Sequence, residues 1–128
     1  MNAKIGLIAY GLDREISGIG RYTRELADAL RQAGIHLSLL QAQGVNNKQE
    51  AIRLFSARLL PALLTAGQFE IAWAANRQKL ALIHDPTGCA PLAFTGAQRV
   101  LTLHDVIPYI YPQTSTKLDW LIYHLWLP

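Results

Sequence analysis

The stretch Ser17-Gly18-Ile19-Gly20-Arg21-Tyr22-Thr23-Arg24-Glu25-Leu26 decides the fold. It follows the apolar run Ile5-Gly6-Leu7-Ile8-Ala9-Tyr10, which has the length and composition of a buried strand. Beyond it, apolar residues recur at Ile19, Tyr22, Leu26, Leu30 and Ala33, in steps of three and four that make one helical stripe. Ser17 suits the N-cap, where its hydroxyl accepts from an amide of the first turn, and Gly34 suits the C-terminal stop. A glycine-bearing loop thus delivers a helix N-terminus to the carboxyl edge of a strand. Free amides and the positive dipole end at such a place suit an anion, and Gly18 and Gly20 would let it approach the backbone closely. Glycines before a helix also serve as plain turn residues, so both readings stand at this point. A nicotinamide-dinucleotide site does not fit. The pattern Gly18-x-Gly20-x-x-Thr23 lacks the third glycine, the linker from the strand is too long for the tight turn, and no acidic residue follows about 20 positions on to hold a ribose.

Composition narrows the classes. The chain of 128 residues is the length of one domain, 1–128, and can bury a sizeable core. Apolar residues make up 51% and charged residues 16%, which excludes a disordered chain. A net charge of +3, with Arg and Lys scattered, gives no footprint for nucleic acid. The lone Cys89 excludes an internal disulfide and a cysteine zinc cage. No signal peptide opens the sequence, and no apolar run reaches the roughly 20 residues of a membrane span.

Further along, Ile35–Leu40 alternates as a second strand, and Gln41–Gln49 is a polar loop. The spacing of Ile52, Phe55, Leu59 and Leu60 predicts a helix over Ala51–Leu60, broken at Pro61. Residues 69–79 carry both a strand-like alternation and a four-residue aromatic spacing; the surrounding alanines favour a helix. Leu80–Ile83 and Arg99–Leu103 read as buried strands, and Thr116–Leu127 as an apolar helix. This order predicts an α/β, Rossmann-like fold: a mostly parallel sheet with helices on both faces.

Ligands of such sheets bind beyond the carboxyl ends of the strands. The segments expected there are Gly11–Gly20, Gln41–Asn47, His84–Gly88 and His104–Pro108. Two of them begin alike, with His84-Asp85 and His104-Asp105. A histidine can donate or accept and a carboxylate can fix its tautomer, yet adjacent strand residues point to opposite faces. These pairs are therefore read either as site residues or as polar residues marking strand ends. Nothing in their spacing predicts a metal site, and no Gly-x-Ser-x-Gly elbow is present.

The loop and helix at 17–26, the stretch Leu82-Ile83-His84-Asp85-Pro86 and the stretch Val100-Leu101-Thr102-Leu103-His104-Asp105-Val106-Ile107-Pro108 occur in that order. Together they resemble the N-terminal half of the retaining, group 1 glycosyltransferases of the GT-B fold, over nearly the whole chain. The resemblance implies one half of a two-domain enzyme that moves a sugar from a nucleotide-sugar donor to a sugar or lipid-linked acceptor. It implies that Gly18 and Gly20 lie near the donor diphosphate, that His104 faces the donor sugar at the reacting centre, and that Arg21 and Asp105 support the donor. His84, Asp85 and Asp13 would face the acceptor. No metal and no cofactor are implied, since helix dipoles and basic side chains stabilise the leaving diphosphate in that arrangement.

The family's donor half, with its two glutamates eight positions apart, has no counterpart among Glu15, Glu25, Glu50 and Glu70. The expectation is therefore an N-terminal domain, inactive by itself, whose partner is a missing C-terminal domain. Its apolar segment 116–127 is expected to pack on that domain or on a second copy. The alternative is a non-catalytic α/β binding or assembly module that uses the same segment. The expected location is cytoplasmic, with a peripheral place at the inner membrane face as a lesser option.

Overall fold

The run Lys4-Ile5-Gly6-Leu7-Ile8 is apolar on both sides of the pleat, and it takes the middle of the sheet. The computed structural model describes residues 3–9, 17–41, 51–54, 65–86, 95–114 and 116–117. Strands β1 (Lys4–Ile8), β2 (His36–Gln41), β3 (Ala51–Arg53), β4 (Leu82–Asp85) and β5 (Gln98–Leu101) form one parallel sheet in the order β3-β2-β1-β4-β5. Helices α1 (Gly18–Gln32) and α2 (Ala66–Gln78) cover it, and a short α3 (Ile107–Ile110) and a 3-10 turn (Pro112–Thr114) follow β5. Consecutive residues of β1 enter different cores. Leu7 packs with Ala9, Ala27, Leu37 and Leu39 on the α1 side. Ile8 packs with Leu40, Leu54, Ile71, Ala74, Ala75, Leu80 and Ile83 on the α2 side. A parallel sheet buried on both faces needs such continuous apolar strands. The α/β, Rossmann-like class read from the sequence is the one observed.

Helix α1 starts and stops where its caps dictate. The Gly20 amide donates to Ser17 Oγ at 2.9 Å. At the other end Gly34 takes φ +76, its amide donates to the Arg31 carbonyl, and the Ile35 amide donates to the Leu30 carbonyl. This is the paired closure that a left-handed residue allows. Leu26 and Leu30 of the expected stripe pack half-buried against the core, while the most deeply buried positions lie one residue along from it. Gly20, Thr23 and Ala27 are buried, while Ile19 and Tyr22 are 38% and 39% exposed. Small residues let the helix approach the sheet closely, and the Thr23 hydroxyl is satisfied by donating to the Ile19 carbonyl at 2.8 Å.

Other expectations are corrected. Ala51–Arg53 is an edge strand, not the start of a helix, and the Leu54 amide extends the ladder to the Gln41 carbonyl. The outer edge of β2 offers free backbone groups there, and Ile52 and Leu54 both serve the α2-side core. Helix α2 starts earlier than expected, with Gly67 buried in its first turn. It ends at Lys79, which takes φ 52, and the Leu80 amide donates to the Ala75 carbonyl. β4 begins two residues late, so His84 and Asp85 are its last residues and do not lie beyond it. Asp13, most of the 41–49 loop, residues 55–60 and the apolar segment 118–127 lie outside the described residues. Among the described residues no helix is long and apolar enough to cross a membrane.

Candidate functional site

The parallel register decides which side chains meet at the carboxyl edge. His84 pairs with Leu7 on one side and with Val100 on the other, so it stands on the α1 side of the sheet. Thr102 continues the ladder past β5, its amide donating to the Asp85 carbonyl at 3.0 Å. Two positions beyond Val100, it returns to the same side. There His84 Nε2 and Thr102 Oγ1 are 2.8 Å apart. Burial holds the His84 pKa below its ordinary value of 6.5, because desolvation penalises the imidazolium.

The contacts run on from Thr102 to α1 and back to the strand ends. Tyr22 Oη lies 3.5 Å from Thr102 Oγ1, a long hydrogen bond. The Tyr22 ring meets the His104 ring edge-on, with centroids 5.1 Å apart and planes at 88°. Such T-shaped packing suits the quadrupoles of two rings. His104 Nε2 lies 2.6 Å from the Pro86 carbonyl oxygen. A carbonyl only accepts, so Nε2 carries the proton in that bond. When the ring is neutral, this bond leaves the Nδ1 lone pair as an acceptor. Tyr22, His84, Thr102 and His104 thus form one rim, two residues from Gly20 on the first turns of α1.

At the helix N-terminus the glycines differ from one another. Gly18 is exposed, and a Cβ added there would meet open space. Gly20 is buried and its amide is taken by Ser17, so it does not offer a donor to a ligand as expected. The Gly18 and Ile19 amides have no acceptor inside the helix. Arg21 is exposed in the same turn. The described charges and donors at this end therefore suit an anion.

The two His-Asp pairs separate. Asp85 is fully buried and points to the α2 side, away from His84 and from the rim. Its expected place facing an acceptor does not match that burial. Asp105 is exposed, and its Oδ1 accepts from the Ile107 amide at 2.6 Å, shaping the turn into α3. It holds backbone and makes no hydrogen bond to His104. Asp13 lies outside the described residues. Tyr22 and Thr102 are site members that sequence reasoning passed over. The helical spacing places Tyr22 in the core stripe, whereas the alternation Val100, Thr102, His104 puts Thr102 with the histidine.

Gln41 ends β2 beside Ala9 on the α1 side, and it is buried. Among the described residues its Nε2 finds no acceptor. Among the described residues no three of His, Cys, Asp and Glu gather as metal ligands. No family model, no curated protein and no solved structure matches the chain.

Proposed function

We propose that the chain forms the acceptor-side wall of a glycosyltransferase that moves a sugar from a nucleotide-sugar donor to a sugar or lipid-linked acceptor, with retention. The observation that carries this reading is the His104 imidazole, oriented by the Pro86 carbonyl and the Tyr22 ring beside the first turn of α1. Departure of a nucleoside diphosphate needs its growing negative charge stabilised. The Gly18 and Ile19 amides, the helix dipole and Arg21 are suited to that task. One oriented donor at a developing charge is worth about 3 kcal/mol. His104 Nδ1, a fixed acceptor, suits a hydroxyl of the donor sugar and holds the ring against the leaving bond. His84 stays neutral and braces Thr102, which in turn backs Tyr22. In this reading the domain works on the cytoplasmic side.

The test is transfer by the natural polypeptide that carries this sequence, assayed with a panel of nucleoside diphosphate sugars. His104→Ala is expected to lower kcat by about tenfold or more, with the urea midpoint unchanged, because the group is exposed and acts on the reacting sugar. Unchanged kcat in that variant would remove His104 from the reaction. Absence of transfer or donor hydrolysis with every nucleotide sugar would remove the function itself.

A further inference from the structure

We infer that the outer face of α2 docks the protein on an anionic lipid surface, with Phe69 and Trp73 entering the interfacial layer and Arg77 and Lys79 meeting the headgroups. α2 turns Ile71, Ala74 and Ala75 toward the core. Its large aromatics face outward: Phe69 is 80% exposed and Trp73 60% exposed. They stand one turn apart, and Arg77 continues the same row, its Cζ 5.0 Å from the Trp73 ring centroid. Two large rings in one row form a contiguous exposed apolar patch, the kind of surface that serves for contact.

Charge selects the occupant. Arg77 and Lys79 close the helix, and Lys4 reaches the same end, donating to Gln78 Oε1 at 3.3 Å. Arg99 pairs with Ile83 and so lies on the α2 side of the sheet, but it and Lys4 are engaged within the protein, which leaves Arg77 and Lys79 as the cations that meet the headgroups. The only carboxylate of α2, Glu70, is half-buried and engaged within the protein. A second copy placed here would bring these cations against one another. A stacked sugar would compete with Arg77 for the Trp73 ring. A fluid interface accepts a convex row of rings, and indole rings prefer that depth. Anionic headgroups take the flanking cations, and the two signals together give stable binding where one alone is marginal. The α1-side rim faces the other way, so docking leaves it open. This surface names where a peripheral protein would sit, and it stands independently of sugar transfer.

The experiment is co-sedimentation of the 128-residue chain with vesicles of phosphatidylcholine, alone or mixed with phosphatidylglycerol. Binding is expected to the mixed vesicles only, weakening with salt. Phe69→Ser/Trp73→Ser should reduce it by about tenfold or more. Arg77→Gln should reduce it by about fivefold. In a Trp120→Phe/Trp126→Phe background, the emission of Trp73 should shift to the blue on the mixed vesicles. These positions are exposed, so circular dichroism should show the α2 variants folded. No binding to the mixed vesicles, equal binding by the double serine variant, or a dimer that this variant turns into a monomer would each overturn the inference. Sugar transfer can fail without affecting any of these readouts.

Discussion

Substituting Gly6 by alanine should destabilise the protein by crowding two buried leucine methyls at the sheet's centre. A Cβ at Gly6 would lie 2.6 Å from Leu80 Cδ1 and 2.9 Å from Leu40 Cδ1. Carbon atoms in contact prefer about 3.5–4.0 Å, so both methyls must move. Leu40 is fully buried and Leu80 nearly so, and both belong to the core that includes Ile8, Ala75 and Ile83. Forcing a methyl into such packing costs about 1–3 kcal/mol. Removing a glycine from the unfolded chain returns about 0.4–1 kcal/mol. The net expectation is a loss of about 0.5–2 kcal/mol, read as a lower urea midpoint at constant slope. Leu80→Val shortens one of the two clashing side chains. In a double-mutant cycle the pair should therefore couple favourably by about 1 kcal/mol. A midpoint that stays or rises in Gly6→Ala, or strict additivity with Leu80→Val, would refute the packing assigned to β1.

Three further outcomes are expected. The lowered pKa of His84 means that the unfolded chain takes up its proton first, so stability should be flat above pH 6.5 and fall as pH drops toward the folded pKa. Urea midpoints across that range should show this slope, and His84→Gln, which keeps a donor for Thr102, should reduce it. Lys79→Gly should raise stability by about 1 kcal/mol in thermal melts, because the residue is held at φ 52. Ser17→Ala should cost about 1 kcal/mol and lower amide protection in the first turn of α1, since the Gly20 amide loses its acceptor.

What was legible in the sequence was chiefly local. Ser17 and Gly34 bound α1 through cap chemistry that acts within a few residues, and both ends fell where that chemistry puts them. The continuous apolar runs around Leu7 and Ile83 likewise carry the signature of strands covered twice. Ile52 and Phe55 share a helical spacing, so the local pattern at Ala51–Arg53 points to a helix. Its strand conformation comes from the free edge of β2, which no local pattern announces. The stripe of α1 is legible at Leu26 and Leu30, which pack on the core, but not at Ile19 and Tyr22, because close approach to the sheet selects Gly20, Thr23 and Ala27 for the deepest positions. Both histidines were found, but their neighbouring aspartates were credited with them. Strand alternation sends Asp85 to the other core, and Asp105 is used by the turn into α3. Tyr22 and Thr102 meet only once α1 lies across the sheet, which makes their role tertiary.

The rim is tested most directly by amide and histidine NMR of the chain during titration with a nucleoside diphosphate sugar at millimolar concentration. Before ligand, His104 should carry its proton at Nε2, with its ring signals shifted by Tyr22. With ligand, perturbations should gather at Gly18, Ile19, Arg21, Tyr22 and His104 and spare β3 and α2. A His104 ring protonated at Nδ1, or perturbations confined to the α2 side, would contradict it.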